Sequence, residues 1–314
     1  PLGFWVEWFL CGDVRNVLFT PGRVSPSVWF LGQTVVGPSG PEELWTFLPF
    51  HPGEKNGQLY GRGVADMKGA VAAMAVALET FATQHPDHPG QVGLLLTSDE
   101  EGVAVDGVVR VAEEMKRRGV RPDYCLVGEP SSQDLLGDTI RIGRRGSIHA
   151  RLQVNGTQGH TAFPQHLDNP VHRMASFLQA LTEMEWDSGD DDFPASHCQV
   201  ASIRGGTGAR NVTPAHVELL VNFRNGPESP SATLRSRFEE LLKTHHINDY
   251  ELDWYVAGEP FRSPAGKLRE AAVGAVEELL NIKPLLNTGG GTSDGRFIAP
   301  LGSEVLELGL INSS

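Results

Sequence analysis

The feature that most constrains this chain is a change of rhythm near residue 147. Before it, short apolar runs with no polar alternation (Ser27–Leu31, Val92–Leu96, Tyr124–Val127) are separated by helical segments. Such strands are buried on both faces, and strand–helix–strand order predicts a largely parallel sheet. After it, Ser147–Val154 alternates apolar with polar, as a strand with one wet face does. A helix over Pro170–Trp186 follows, then strands over Gln199–Ile203 and His216–Phe223. A helix opened by Ser229 and Pro230 carries Leu234, Phe238, Leu241 and Leu242, and a strand over Glu251–Val256 closes the set. That βαββαβ order is a split ferredoxin-like unit. The first rhythm then resumes: Ser263 and Pro264 open a helix running to Asn281, and Glu304–Leu308 is apolar. The expectation is a mixed, largely parallel α/β domain, residues 1–146 and 259–314, interrupted by an inserted α+β domain at 147–258.

Local signals refine this. Gly69–Phe81 reads as a helix with Val71, Met74, Leu78 and Phe81 on its core face. Val105–Arg118 reads as a helix because Lys116, Arg117 and Arg118 fill its last turn and Gly119 follows. Asn169 is placed as an N-cap with Pro170 at the first helical position. Phe4–Leu10 reads as a strand, and no signal peptide is recognised before it. A start at Pro1 and a stop at Ser314, just after an apolar run, suggest a fragment of a longer chain.

Composition excludes several classes of function. The chain holds 26 basic and 39 acidic residues, a net charge of −13, the wrong sign for a phosphate-backbone binder. No apolar run reaches membrane-spanning length. Cys11, Cys125 and Cys198 lie far apart, which disfavours a disulfide scaffold or zinc ribbon and fits a reducing, cytoplasmic setting.

The dense chemistry is acidic: Asp66, the triplet Asp99-Glu100-Glu101, and Glu129. The triplet follows one expected strand and Glu129 another, and in open α/β sheets ligands bind beyond the carboxyl ends of strands. Converging carboxylates repel unless a cation holds them, so the set reads as a metal site. The bland alternative, weighted evenly for any single residue, is helix capping. His160 stands in a small-residue loop, where functional side chains are common. Asn287–Gly295 is glycine-rich but lacks the lysine of a phosphate loop; its N–H groups would suit an anion such as a carboxylate. No Gly-x-Ser-x-Gly occurs, which disfavours a serine hydrolase elbow.

Tyr60-Gly61-Arg62-Gly63-Val64-Ala65-Asp66-Met67-Lys68-Gly69, Ser98-Asp99-Glu100-Glu101-Gly102, Val127-Gly128-Glu129-Pro130-Ser131, Gly143-Arg144-Arg145-Gly146-Ser147, Gln158-Gly159-His160 and Gly290-Gly291-Thr292-Ser293-Asp294-Gly295-Arg296-Phe297 occur in this order. Together they resemble the M20 metallopeptidase family, over nearly the whole chain. Within it they are most similar to members that hydrolyse N-succinyl-LL-2,6-diaminopimelate to succinate and LL-2,6-diaminopimelate in lysine biosynthesis. The resemblance implies two zinc ions per subunit, with cobalt possible, and a homodimer formed through the inserted domain. It implies that Asp66 bridges the metals, that Glu129 and Glu101 each bind one, and that Glu100 is the general base. His160 matches a histidine supplied by the dimer partner to the oxyanion. Arg144, Ser147, Asn211, Arg224, Gly291, Thr292 and Asn312 match substrate-contacting positions. Asp99 receives no role.

The chain departs from the family in one segment. A His-x-Asp pair upstream of the bridging aspartate is here Gln33 and Val35, in Gly32-Gln33-Thr34-Val35-Val36-Gly37. Glutamine is a poor zinc ligand beside imidazole, and valine cannot orient it. A second metal-binding histidine of the family would fall beyond Ser314, and Phe163 stands where tyrosine is usual. The expectation is weak metal binding and impaired hydrolysis. Two other readings stand beside it: a deacylase or peptidase with a different acyl substrate, such as an acetylornithine deacetylase, and a non-catalytic dimeric relative.

Overall fold

A computed structural model describes residues 5–20, 25–102 and 104–312; of the expected first strand, Phe4 lies outside them. The chain divides into two compact units, one made of Pro1–Gly143, Arg262–Thr288 and Ser293–Ser314, the other of Arg144–Phe261 with Gly289–Thr292. The divisions at 143/144 and 261/262 stand against the 146 and 259 read from the sequence, and four residues of the glycine-rich loop group with the inserted unit.

The first unit is built on an eight-stranded mixed sheet. Its strands, in spatial order, begin at Trp5, Val14, Gln91, Ser27, Tyr124, Glu304, Thr139 and Leu285. The three apolar runs form the parallel centre: Ser27–Gln33 pairs with Gln91–Thr97 on one side and Tyr124–Val127 on the other, and Glu304–Glu307 extends it. Leu31, Leu95, Val127 and Leu306 are buried there, as uninterrupted apolar strands require. The strand at Trp5 was expected; its hairpin partner Val14–Thr20, turned through Gly12 at φ +57, was not.

Helices in this unit differ from expectation at their ends and faces. The first runs Gly69–Gln84 and buries Ala70, Met74 and Leu78. Val71 is half-buried, and Phe81 faces outward, where its ring packs on His85 and His88. The second starts at Val108 rather than Val105 because Asp106 donates its backbone N–H to the Asp99 side chain at 3.0 Å, which holds the preceding turn out of the helix. The last long helix starts at Lys267 rather than Ser263, whose hydroxyl instead accepts from the Val305 backbone N–H at 2.9 Å.

The second unit has the expected βαββαβ order and an antiparallel sheet ordered by strands His197–Gly205, His216–Asn225, Gly146–Asn155 and Tyr250–Gly258. One face carries Ile148, Ala150, Leu152, Val154, Val217, Leu219, Val221 and Phe223 into a core closed by both helices. Asn169 caps its helix as expected, accepting from the Val171 N–H at 3.0 Å. That helix stops at Glu183, short of Trp186, which turns into the core edge-on to Phe223 with centroids 4.8 Å apart. Arg237 secures the turn by donating to the backbone carbonyls of Glu185 and Trp186.

No described helix is long and apolar enough to cross a membrane. Cys125 is buried in the first unit's sheet and Cys198 half-buried in the second's, and burial pushes both thiols up to about 12.

Candidate functional site

The acidic residues lie in the first unit, at the carboxyl ends of its parallel strands, as the topology demands. Gln33 is the last residue of Ser27–Gln33 and is 1% exposed. Asp66 lies in a wide turn after the left-handed Gly63, with φ −123 and ψ 94, and does not cap the helix that follows. Glu129 follows Tyr124–Val127 and is buried. Close packing sets this geometry: a Cβ on Gly128 would lie 2.3 Å from the Met74 methyl, and one on Gly309 would lie 2.4 Å from the Glu129 carbonyl oxygen.

The structure gathers Asp66 and Glu129 around Gln33. The Gln33 Nε2 donates to Asp66 Oδ1 at 3.1 Å and to Glu129 Oε1 at 3.5 Å. Asn312 Nδ2 donates to the other Asp66 oxygen at 3.4 Å. Glu101 is exposed beside Gly37 and the guanidinium of Arg62, which donates to the Gly37 carbonyl at 2.8 Å. Among the described residues, no group of three His, Cys, Asp or Glu side chains is placed to hold a metal ion.

Glu100 carries the strongest electrostatic signature. Burial first, then Asp294, Glu101 and Asp66, push its carboxyl up to about 8, against the opposing pull of Arg296. Asp294 itself is pushed up to about 6 by burial, with Asp99 adding to the shift and Arg296 opposing it. Neither Asp294 oxygen accepts a hydrogen bond from a described residue. Asp99, which had no role in the sequence, shapes the loop: its side chain accepts from Asp106 and its carbonyl accepts from the Gly102 N–H.

The second unit holds the remaining candidates. His160 Nδ1 accepts from the Ala162 N–H at 3.1 Å. On the other side of the ring, Asn211 Nδ2 lies 3.0 Å from His160 Nε2. Arg144 is buried and donates to the carbonyls of Gly289 at 3.0 Å and Gly291 at 3.2 Å. The glycine-rich loop thus meets Arg144 through its carbonyls rather than its N–H groups, and Gly290 adopts φ +88 beside that guanidinium.

Strand register reveals a cluster that the linear sequence hid. Ser147 and His197 both pair with Arg224, and His149 pairs with Asn222. Arg145 donates to His197 Nε2 at 3.5 Å, so that nitrogen carries no proton. Burial, then Arg145 and Arg224, lower the proton affinity of His197; burial and Arg224 lower that of His149. No described carboxylate forms an ion pair with Arg145 or Arg224.

The model of peptidase family M20/M25/M40 matches residues 34–313. A succinyl-diaminopimelate desuccinylase of Xylella fastidiosa (strain M12) is 49% identical over 313 residues, covering 100% of this chain and 83% of that protein. One of Methylococcus capsulatus (strain Bath) is 49% identical over 314 residues, again covering 100% of this chain and 83% of that protein. Among solved structures, an M20 family metallo-carboxypeptidase of Sulfolobus solfataricus superposes with a TM-score of 0.80 at 16% identity, covering 98% of this chain and 82% of that one.

Proposed function

Because this chain belongs to peptidase family M20/M25/M40, we propose that it acts on the amide of N-succinyl-LL-2,6-diaminopimelate, releasing succinate and LL-2,6-diaminopimelate. The observation that carries this reading is near-half identity across the whole chain to desuccinylases. The M20 family is metal-dependent; zinc, or cobalt in its place, is the proposed ion, and Asp66, Glu101 and Glu129 are the side chains that would hold it were histidine to stand at position 33. At the position between Asp66 and Glu129 the donor set does not fit zinc: an amide N–H group faces both carboxylates where a ligand lone pair would be needed.

The chain's own groups divide the remaining work. Glu100 takes the proton of the attacking water and returns it to the leaving amine, as a shielded carboxyl beside a strand end can. His160, supplied by the other copy of a dimer, stabilises the developing oxyanion. Ser147, Arg224, Asn211, Thr292 and Asn312 contact the substrate, and Arg144 positions Gly291 by binding the loop carbonyls. A substrate with several carboxylates matches the unpaired cationic end of the second unit's sheet. The inserted unit is the proposed dimerisation domain, and the cytoplasm the proposed compartment.

The test is succinate release from N-succinyl-LL-2,6-diaminopimelate beside acetate release from N-acetylornithine, with zinc or cobalt added. Weak turnover of the succinyl substrate alone is expected. Gln33→His with Val35→Asp should raise it at least about 10- to 100-fold. Preference for the acetyl substrate would overturn the assignment.

A further inference from the structure

The geometry around Gln33 points to a protein group standing where an ion would stand. We infer that the Gln33 carboxamide replaces a metal ion between Asp66 and Glu129, joining the two carboxylates through its N–H groups and closing that position to a cation.

Three observations carry this. A primary amide nitrogen has two hydrogens aimed in different directions, and Gln33 Nε2 reaches one oxygen of each carboxylate, at 3.1 Å and 3.5 Å. The orientation is fixed by electrostatics: reversing the amide would set its oxygen against two carboxylates. Its oxygen is buried and finds no hydrogen-bond partner among the described residues, so the contact with the carboxylates is what holds the group there. The side chain also has little freedom to withdraw. Its backbone lies inside the parallel sheet, and the next residue is pinned by Thr34 N–H and Oγ1, which donate to the Thr97 carbonyl at 2.8 Å and 3.0 Å.

The second Asp66 oxygen receives the Asn312 amide. Asp66 thus meets neutral N–H donors on both oxygens, an arrangement complete without an ion. Two carboxylates brought together without any donor would repel and resist burial. The amide supplies partial positive charge at that point without the desolvation cost of a buried cation.

This inference concerns the metal position and stands apart from the choice of acyl substrate, which turnover tests separately. The experiment is zinc uptake by equilibrium dialysis with metal analysis, together with thermal melting in chelator and in zinc, on the wild-type chain, Gln33→His and Gln33→Leu. Gln33→His is expected to bind one zinc equivalent more than wild type and to melt higher with zinc than in chelator. Gln33→Leu, which removes the donors and leaves the carboxylates facing each other, is expected to melt below wild type in chelator. Equal zinc stoichiometry and affinity for wild type and Gln33→His would overturn the inference, as would a Gln33→Leu melting point equal to wild type.

Should either variant fail to fold, wild-type side-chain amide NMR in chelator decides. The Gln33 amide protons should exchange at least tenfold more slowly than those of exposed Gln84. Equal exchange rates would show that the amide is not bound to the carboxylates.

Discussion

Two like-charged clusters sit in the two units of this chain, and they are managed in opposite ways. In the first, the carboxylates of Asp66 and Glu129 are met by the neutral amides of Gln33 and Asn312. In the second, Arg145, Arg224, His149 and His197 share one end of a sheet face, and the histidines respond by losing proton affinity. The other end of that same face shows the ordinary solution: Arg151 donates to Glu218 at 2.7 Å and to Asp253 at 3.3 Å. A cluster answered from within the chain is closed; a cluster left unanswered is available to a ligand of opposite charge. The acidic cluster belongs to the first kind at its Gln33 side and the basic cluster to the second.

The comparison can be broken in four places. The largest effect is expected from Glu100→Gln in the Gln33→His, Val35→Asp background. Loss of the proton acceptor should lower kcat about 100- to 10,000-fold with KM nearly unchanged, read from initial rates of succinate release. Next, Arg224→Ala removes a cation from the unanswered end. Charge-assisted hydrogen bonds contribute roughly 1.5–3 kcal/mol, so KM for the succinyl substrate should rise about 10- to 100-fold; an unchanged KM would place the carboxylates elsewhere.

A third effect is linkage. His149 and His197 bind protons less readily in the folded chain than at the ordinary value of 6.5. The unfolded chain then holds more protons below that value, so stability present above it is lost as pH falls from about 6.5 toward the lower folded values. Melting points followed from pH 7.5 to pH 5.5 should fall, and Arg224→Ala should flatten the slope. The smallest effect is expected at the answered end: Arg151→Ala leaves KM unchanged and barely moves the midpoint of denaturant melts, since exposed ion pairs add little to stability.

Much of the architecture is legible in the sequence because it follows from burial alone. The runs at Val92–Leu96 and Tyr124–Val127 are buried on both faces, and alternation at Ser147–Val154 marks a sheet with one covered face. Asn169 before Pro170 is a local signal that needs no tertiary context. What escapes is whatever a distant residue decides. Val108 rather than Val105 starts a helix because the Asp99 side chain takes the Asp106 N–H. Phe81 leaves the core because two histidines cover it, while Ala70 and Met74 fill the space beside Gly128.

The site divides the same way. Gln33 is recognisable as a departure from its motif, yet a linear sequence does not reveal that its amide would point at Asp66 and Glu129. The cationic cluster joins Arg145, His149, His197 and Arg224 across three strands, so only register brings it into view. Its sole linear hint is the doubled arginine at 144 and 145, and those two neighbours serve different ends: Arg144 fastens a loop, while Arg145 faces His197.

One cysteine gives the first unit a clock of its own. Cys125 lies at the centre of the parallel sheet, 2% exposed, and burial holds its thiol up at about 12. A thiol reagent then labels Cys125 only when that sheet opens. Mass spectrometry of the labelled peptide over time reads the lifetime of the sheet without a single substitution.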